Sequence, residues 1–206
     1  MNRMPSIPLL LACTALGVSA AAHAVDTALI SDSGIGAQGV LSVNVSAGEY
    51  NQAANLRAIA VNPDGTAVAV VKGGAVQGTV EKPAIGSVQT AHIGGAAFAG
   101  FNGVLGVNQQ AGRGNVSANL LGVAMGAKTG VATSFEVSHA DDSLLAGNAA
   151  NPLQQVLGEA TSVQQVGIDS GAFLGASGVV QINQVAGNGN VTSNALAVQF
   201  SHPPGL

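Results

Sequence analysis

The chain has 206 residues, among them 29 glycines, one cysteine, 3% aromatic and 8% charged residues, with a net charge of −4. A mildly acidic chain without a basic cluster argues against nucleic acid and anionic membrane surfaces as partners, and a single cysteine excludes a disulfide framework and any zinc or iron–sulfur site built on thiolates. Small side chains, amides and few charges suit thin, closely stacked β layers better than a thick globular interior, and they favour stacking between chains.

The N-terminus sets the compartment. Met1-Asn2-Arg3 is a short basic start, Ile7 to Ala22 is apolar or small nearly throughout, and Ala22-His23-Ala24 fits a small-x-small cleavage pattern. Together they predict a secretory signal peptide over 1–24, cleaved after Ala24. The run is short for a membrane span, which needs about 20 apolar residues. Two alternatives are a retained N-terminal anchor and lipoprotein processing at Cys13, where Leu10-Leu11-Ala12-Cys13 loosely fits a lipoprotein box. Cleavage after Ala24 leaves a cysteine-free mature chain with five basic and ten acidic residues, a net charge of −5.

Three copies of one motif organise the rest. The first runs from Gly39 to Ile59, the second from Gly103 to Val123 and the third from Gly178 to Val198, aligning without gaps. Their shared frame is G-V-[LV]-x-[VI]-N-x-x-A-G-x-x-N-x-x-x-N-x-x-x-[VI]. Upstream, Ile93 to Gly100 matches Ile168 to Gly175 in register, and Ala28 to Gly36 is a looser version. The predicted organisation is repeat 1 over 25–61, linker 1 over 62–88, repeat 2 over 89–123, linker 2 over 124–163, repeat 3 over 164–200 and a tail over 201–206. Linker 1 opens on the turn signal Asn62-Pro63-Asp64-Gly65, and Leu153 to Val163 in linker 2 reads as a short helix. Both linkers are expected to loop out.

Within each unit the reading is strand, turn, strand. Val40 to Val45 and Val104 to Asn108 are β-branched and apolar over a strand's length. Gly48, Gly112 and Gly187 then supply the turn, since glycine takes positive φ freely. Arms of seven residues would span about 23 Å. A lone unit of this kind is marginal in water, and its edges invite pairing. Stacking the copies would superpose three amide columns: Asn44, Asn108 and Asn183; Asn51, Asn115 and Asn190; Asn55, Asn119 and Asn194. An amide carries both donors and an acceptor, so it can bond to copies above and below. Like charges cannot stack this way, and the variable positions Glu49, Arg57 and Arg113 are expected to face solvent.

The [VI]-N-x-x-A-G-x-x-N-x-x-x-N run, thrice repeated, resembles the repeats of bacterial functional amyloids of the Fap type and, more distantly, those of curli. That resemblance implies an all-β fold, export through the outer membrane, assembly outside the cell with itself and related fibre subunits, and a role in biofilm matrix or adhesion. Fap fibre subunits often carry a Cys-x-Cys near the C-terminus. This chain ends Phe200-Ser-His-Pro-Pro-Gly-Leu206 without one, which leaves major subunit, minor subunit and nucleator open.

Little in the sequence supports catalysis. His92, His139 and His202 share no metal-ligand spacing. Ser138-His139 with Asp141 are too close in sequence to converge as a triad, and Asp141-Asp142 fall far short of a calcium shell. Ala186 to Asn190 lacks the Asp and period of calcium-binding glycine repeats, and Gly94-Gly95 has no phosphate-loop lysine nearby. The sequence therefore predicts an all-β solenoid or cross-β stack with irregular linkers, no enzyme activity, no cofactor, metal or small-molecule substrate, and self-assembly as the function. A monomeric secreted β-solenoid adhesin is the alternative.

Overall fold

The computed structural model describes residues 24–76, 86–139 and 162–201, and of Ala75, Val76 and 135–139 the backbone alone. Within them lie eleven strands: β1 (Val25–Ser31), β2 (Gln38–Ala47), β3 (Gln52–Asn62), β4 (Thr66–Val76), β5 (Val88–Gly94), β6 (Asn102–Ala111), β7 (Val116–Gly126), β8 (Thr129–His139), β9 (Val163–Ile168), β10 (Ser177–Ala186) and β11 (Val191–Ser201). The predicted Leu153 to Val163 helix falls outside the described residues, apart from Ser162 and Val163, the latter beginning β9. So do Asp141, Asp142, His202 and the leader up to His23.

Every pairing is parallel. The sheets run β1-β5-β9, β2-β6-β10, β3-β7-β11 and β4-β8. Each three-stranded sheet thus takes one strand from each successive repeat. The chain lies down as rungs: β1–β4 form rung 1, β5–β8 rung 2 and β9–β11 rung 3, with rung 2 in the middle of each three-stranded sheet. Register follows the sequence frame. Asn44 pairs with Asn108, which pairs with Asn183; Asn55 pairs with Asn119, which pairs with Asn194. Between rungs 1 and 2, Ser31 pairs with Gly94 but Gln38 with Asn102, so the bend of rung 2 holds one residue more. That extra residue is why the head of the first copy looked loose in sequence.

The strands of a rung are its arms 1 to 4 in chain order; successive arms belong to different sheets, so β2 and β3 face each other through side chains rather than backbone hydrogen bonds. Stacked sheets of this kind lie about 10 Å apart. Alternation along each strand then fills three spaces of different chemistry. Between arms 1 and 2 the filling is apolar on the side of the bend, where Ile30, Ile93, Leu105 and Val107 pack with Phe98 and Phe101. Between arms 3 and 4 it is thin, made of Ala67, Ala69 and Ala124, flanked by Val71, Ala118 and Leu120. Between arms 2 and 3 it is polar.

Two expectations are corrected here. The segments expected to loop out open with β4 and β8, which pair in register from Thr66 with Thr129 to Val76 with His139. Ala67, Ala69 and Val71 alternate with Val68, Val70 and Lys72, giving a buried face and an exposed face; a period of 2 with small inward side chains is a strand signal. Arms 2 and 3 are also longer than the expected seven residues, at 10 or 11.

Candidate assembly site

The space between arms 2 and 3 holds the amides. Asn108 Nδ2 donates to Asn44 Oδ1 at 2.9 Å, and Asn183 Nδ2 donates to Asn108 Oδ1 at 3.0 Å. Opposite them, Asn119 Nδ2 donates to Asn55 Oδ1 at 2.9 Å and Asn194 Nδ2 to Asn119 Oδ1 at 3.0 Å. Within each rung the two columns are joined: Asn55 donates to Asn44, Asn119 to Asn108 and Asn194 to Asn183, at 2.8, 3.1 and 3.0 Å. Asn108 is fully buried, and its amide is saturated. Nδ2 donates to Asn44 and to the Ala54 carbonyl, while Oδ1 accepts from Asn183 and Asn119. A buried amide costs little when all of its bonds are made.

Asn51, Asn115 and Asn190 sit at the turn and bond differently. Asn51 Nδ2 reaches the Gly112 carbonyl and Asn115 Nδ2 the Gly187 carbonyl, each at 2.8 Å, one rung on. In return the Asn115 backbone N–H donates to Asn51 Oδ1 and that of Asn190 to Asn115 Oδ1. Asn190 Nδ2 also donates to Asn115 Oδ1 at 3.0 Å. This column therefore ties turn backbone to turn backbone.

Gly48, Gly112 and Gly187 have φ of +96°, +112° and +135°. A Cβ on Gly48 would land on the Gly112 carbonyl oxygen, and one on Gly112 on that of Gly187. Glycine is thus required twice over, for conformation and for close stacking of backbones. Gly39, Gly103 and Gly178 form a second positive-φ stack at the other end of arm 2, with the approach reversed: a Cβ on Gly103 would land on the Gly39 carbonyl oxygen and one on Gly178 on that of Gly103.

Three features lay outside the sequence reading. A glutamine column lines the space between arms 1 and 2: Gln184 Nε2 donates to Gln109 Oε1 at 2.7 Å, and both reach arm-1 carbonyls. Rung 1 has Val45 there, so the frame does not show it. Phe98 stacks on Phe173 at 5.3 Å between centroids, and both take left-handed φ near +60°. The matching position in rung 1 is Gly34, where a Cβ would strike the Phe98 ring. Finally, Asp32 and Asp169 accept from the Ala96 and Gly95 N–H groups at 2.8 Å, holding the rung-2 bend from both sides.

Charge placement needs one correction. Arg57 turns into the arms 2–3 space, where its guanidinium donates to Ser42 Oγ and, at 2.8 Å, to the Leu41 carbonyl. Partial burial lowers its pKa from the usual arginine value. Arg113, also half-buried, lies 3.7 Å from Glu49. His92 lies on β5, half-exposed, 3.2 Å from Asp169. Among the described residues no three His, Cys, Asp or Glu side chains converge on a point.

These columns end at two open edges, rung 1 and rung 3, each carrying the frame by which it binds rung 2. Over residues 14–201 the chain matches the functional amyloid protein FapB/FapC family. The chain belongs to that family. No solved structure matches it. The family is one of functional amyloid proteins, and this chain builds its β stack from the repeats that carry its Asn/Gly frame.

Proposed function

We propose that the chain is a secreted structural protein that assembles head to tail, rung 3 of one copy stacking on rung 1 of the next, into extracellular fibres of a biofilm matrix. The observation that carries this reading is the equivalence of rungs. Rung 3 binds rung 2 through the same Asn and Gly positions that it presents on its free side, and rung 1 does likewise. Adding a copy would extend each of the three sheets shared by all rungs in register, and pair edges that are otherwise open. The amide columns Asn44/Asn108/Asn183, Asn51/Asn115/Asn190 and Asn55/Asn119/Asn194 would then run through the whole fibre, with Gly48, Gly112 and Gly187 permitting the approach.

The same reading takes 1–24 as a leader cleaved after Ala24, passage through the periplasm and an outer-membrane exporter, and related fibre subunits as partners. It is supported by the basic start, apolar run and Ala-x-Ala site and by family membership. The test is assembly of purified 25–206. Thioflavin-positive fibres with a 4.7–4.8 Å meridional reflection are expected. A monomer that stays soluble and thioflavin-negative after days of concentration would refute it.

A further inference from the structure

Rung 1 and rung 3 are not chemically identical in the arms 2–3 space. Beside the Asn44 and Asn55 columns, the facing pair is Ser42 and Arg57 in rung 1, Gly106 and Leu121 in rung 2, and Gln181 and Leu196 in rung 3. Arg57 thus places a cation in a column otherwise filled by glycine, leucine and an amide. Gly106 makes room for it: a Cβ there would lie 2.6 Å from an Arg57 terminal nitrogen. The terminal nitrogens are bonded to Ser42 and Leu41, but Nε is buried and has no partner in the isolated chain. An orphaned buried donor on an ion costs more than a neutral one.

The opposite end carries the complement. Rung 3 has an open cleft of about 540 Å³ lined by Val180, Gln181, Ile182, Ser193, Asn194 and Leu196, among others. It lies between β10 and β11, in register with Ser42 and Arg57 of rung 1. Gln181 spends its nitrogen on the Leu120 and Asn194 carbonyls at 3.0 and 3.4 Å, which leaves its side-chain oxygen as the acceptor at that end.

We propose that the cleft on rung 3 receives Arg57 of a second copy of this chain, whose guanidinium donates to the side-chain oxygen of Gln181. The inference rests on the head-to-tail reading above and adds what sets its order. Of the two open edges, rung 3 offers Arg57 the amide of Gln181, whereas a second rung 1 would set Ser42 and another Arg57 against it. The pair therefore selects rung 3 against rung 1 and fixes register at the junction between chains, where the three-repeat frame alone could slip.

The test uses Arg57→Leu, Gln181→Leu and the double variant in chain 25–206, with the soluble concentration left at the assembly plateau as readout. Fibres are expected from all three. Each single change should raise the plateau concentration roughly tenfold, and the double variant should be no worse than the poorer single one. Additive effects, or unchanged plateaus, would overturn the pair while leaving self-assembly standing. If the single variants do not assemble, Val40→Cys/Val179→Cys, which leaves Arg57 and Gln181 intact, decides. Within one chain these positions are two rungs apart, about 9.5 Å, beyond disulfide reach. Oxidised fibres should run as a covalent ladder on non-reducing gels. Fibres that assemble but remain monomeric on the gel would overturn the junction, and a double-cysteine chain that forms no thioflavin-positive fibres would count against the head-to-tail reading itself.

Discussion

Replacing Asn108 with Asp strikes the point where the amide columns cross. The side chain keeps its size but loses Nδ2, so the Ala54 carbonyl and Asn44 Oδ1 each lose a donor. Asn44 retains the bond from Asn55, whereas the new oxygen faces two oxygens in a fully buried position. An unsatisfied buried group costs about 1–3 kcal/mol, and more when charged, so a loss of at least about 3 kcal/mol is expected at neutral pH. If folding and assembly are coupled, that raises the soluble concentration at the fibre plateau by roughly a hundredfold. The sign of the pH dependence follows from burial. Desolvation and facing oxygens push the introduced carboxyl's pKa above its unfolded value, so the native state takes up the proton more readily. The penalty is then largest above the folded pKa and shrinks as pH falls through it, because the protonated acid regains one donor. A plateau within threefold of wild type at pH 7, or a defect that deepens on acidification, would refute this reasoning.

Further substitutions probe other parts of the stack. Gly112→Ala places a Cβ on the Gly187 carbonyl at a φ of +112°; a loss of at least about 2 kcal/mol is expected, read as slower thioflavin growth and earlier guanidinium dissolution. Phe98→Ala empties a buried aromatic site stacked on Phe173 and should cost about 3–5 kcal/mol, measured the same way; dissolution at the wild-type midpoint would contradict the burial. Ala69→Asp puts a charge into the thin alanine layer beneath β4, and should weaken the fibre by several kcal/mol, whereas a looped-out linker would tolerate it. Tyr50 takes φ of +59° where the other copies have Gly114 and Gly189, so Tyr50→Asn should gain about 0.5–1 kcal/mol, since Asn tolerates left-handed backbone better.

The all-β class and the stacking of three units were legible because the frame recurs without gaps, and equal spacing in a chain of period-2 strands predicts equal register. β4 and β8 were missed because they fall out of step with the gapless frame: Thr66 to Val71 reads TAVAVV and Thr129 to Ser134 reads TGVATS, three of six residues identical, but 63 residues apart where the frame repeats at 64. Gln109 and Gln184 were missed because rung 1 breaks the column with Val45. Arg57 was misplaced because a charge at a variable position usually faces solvent, and only Gly106, 49 residues away in sequence, makes the inward placement possible. The left-handed Phe98 and Phe173 run against propensity; the buried ring stack outweighs a backbone cost of about 1–2 kcal/mol per residue.

The most direct measurement is the axial length occupied by one chain in the fibre, from scanning-microscopy mass per length or a cryo-microscopy map. Three stacked rungs predict one chain per roughly 14 Å, three times the 4.7–4.8 Å strand spacing. One chain per single strand spacing would mean that the repeats lie side by side in one layer, and would contradict the superposition of Asn44, Asn108 and Asn183 along the fibre axis.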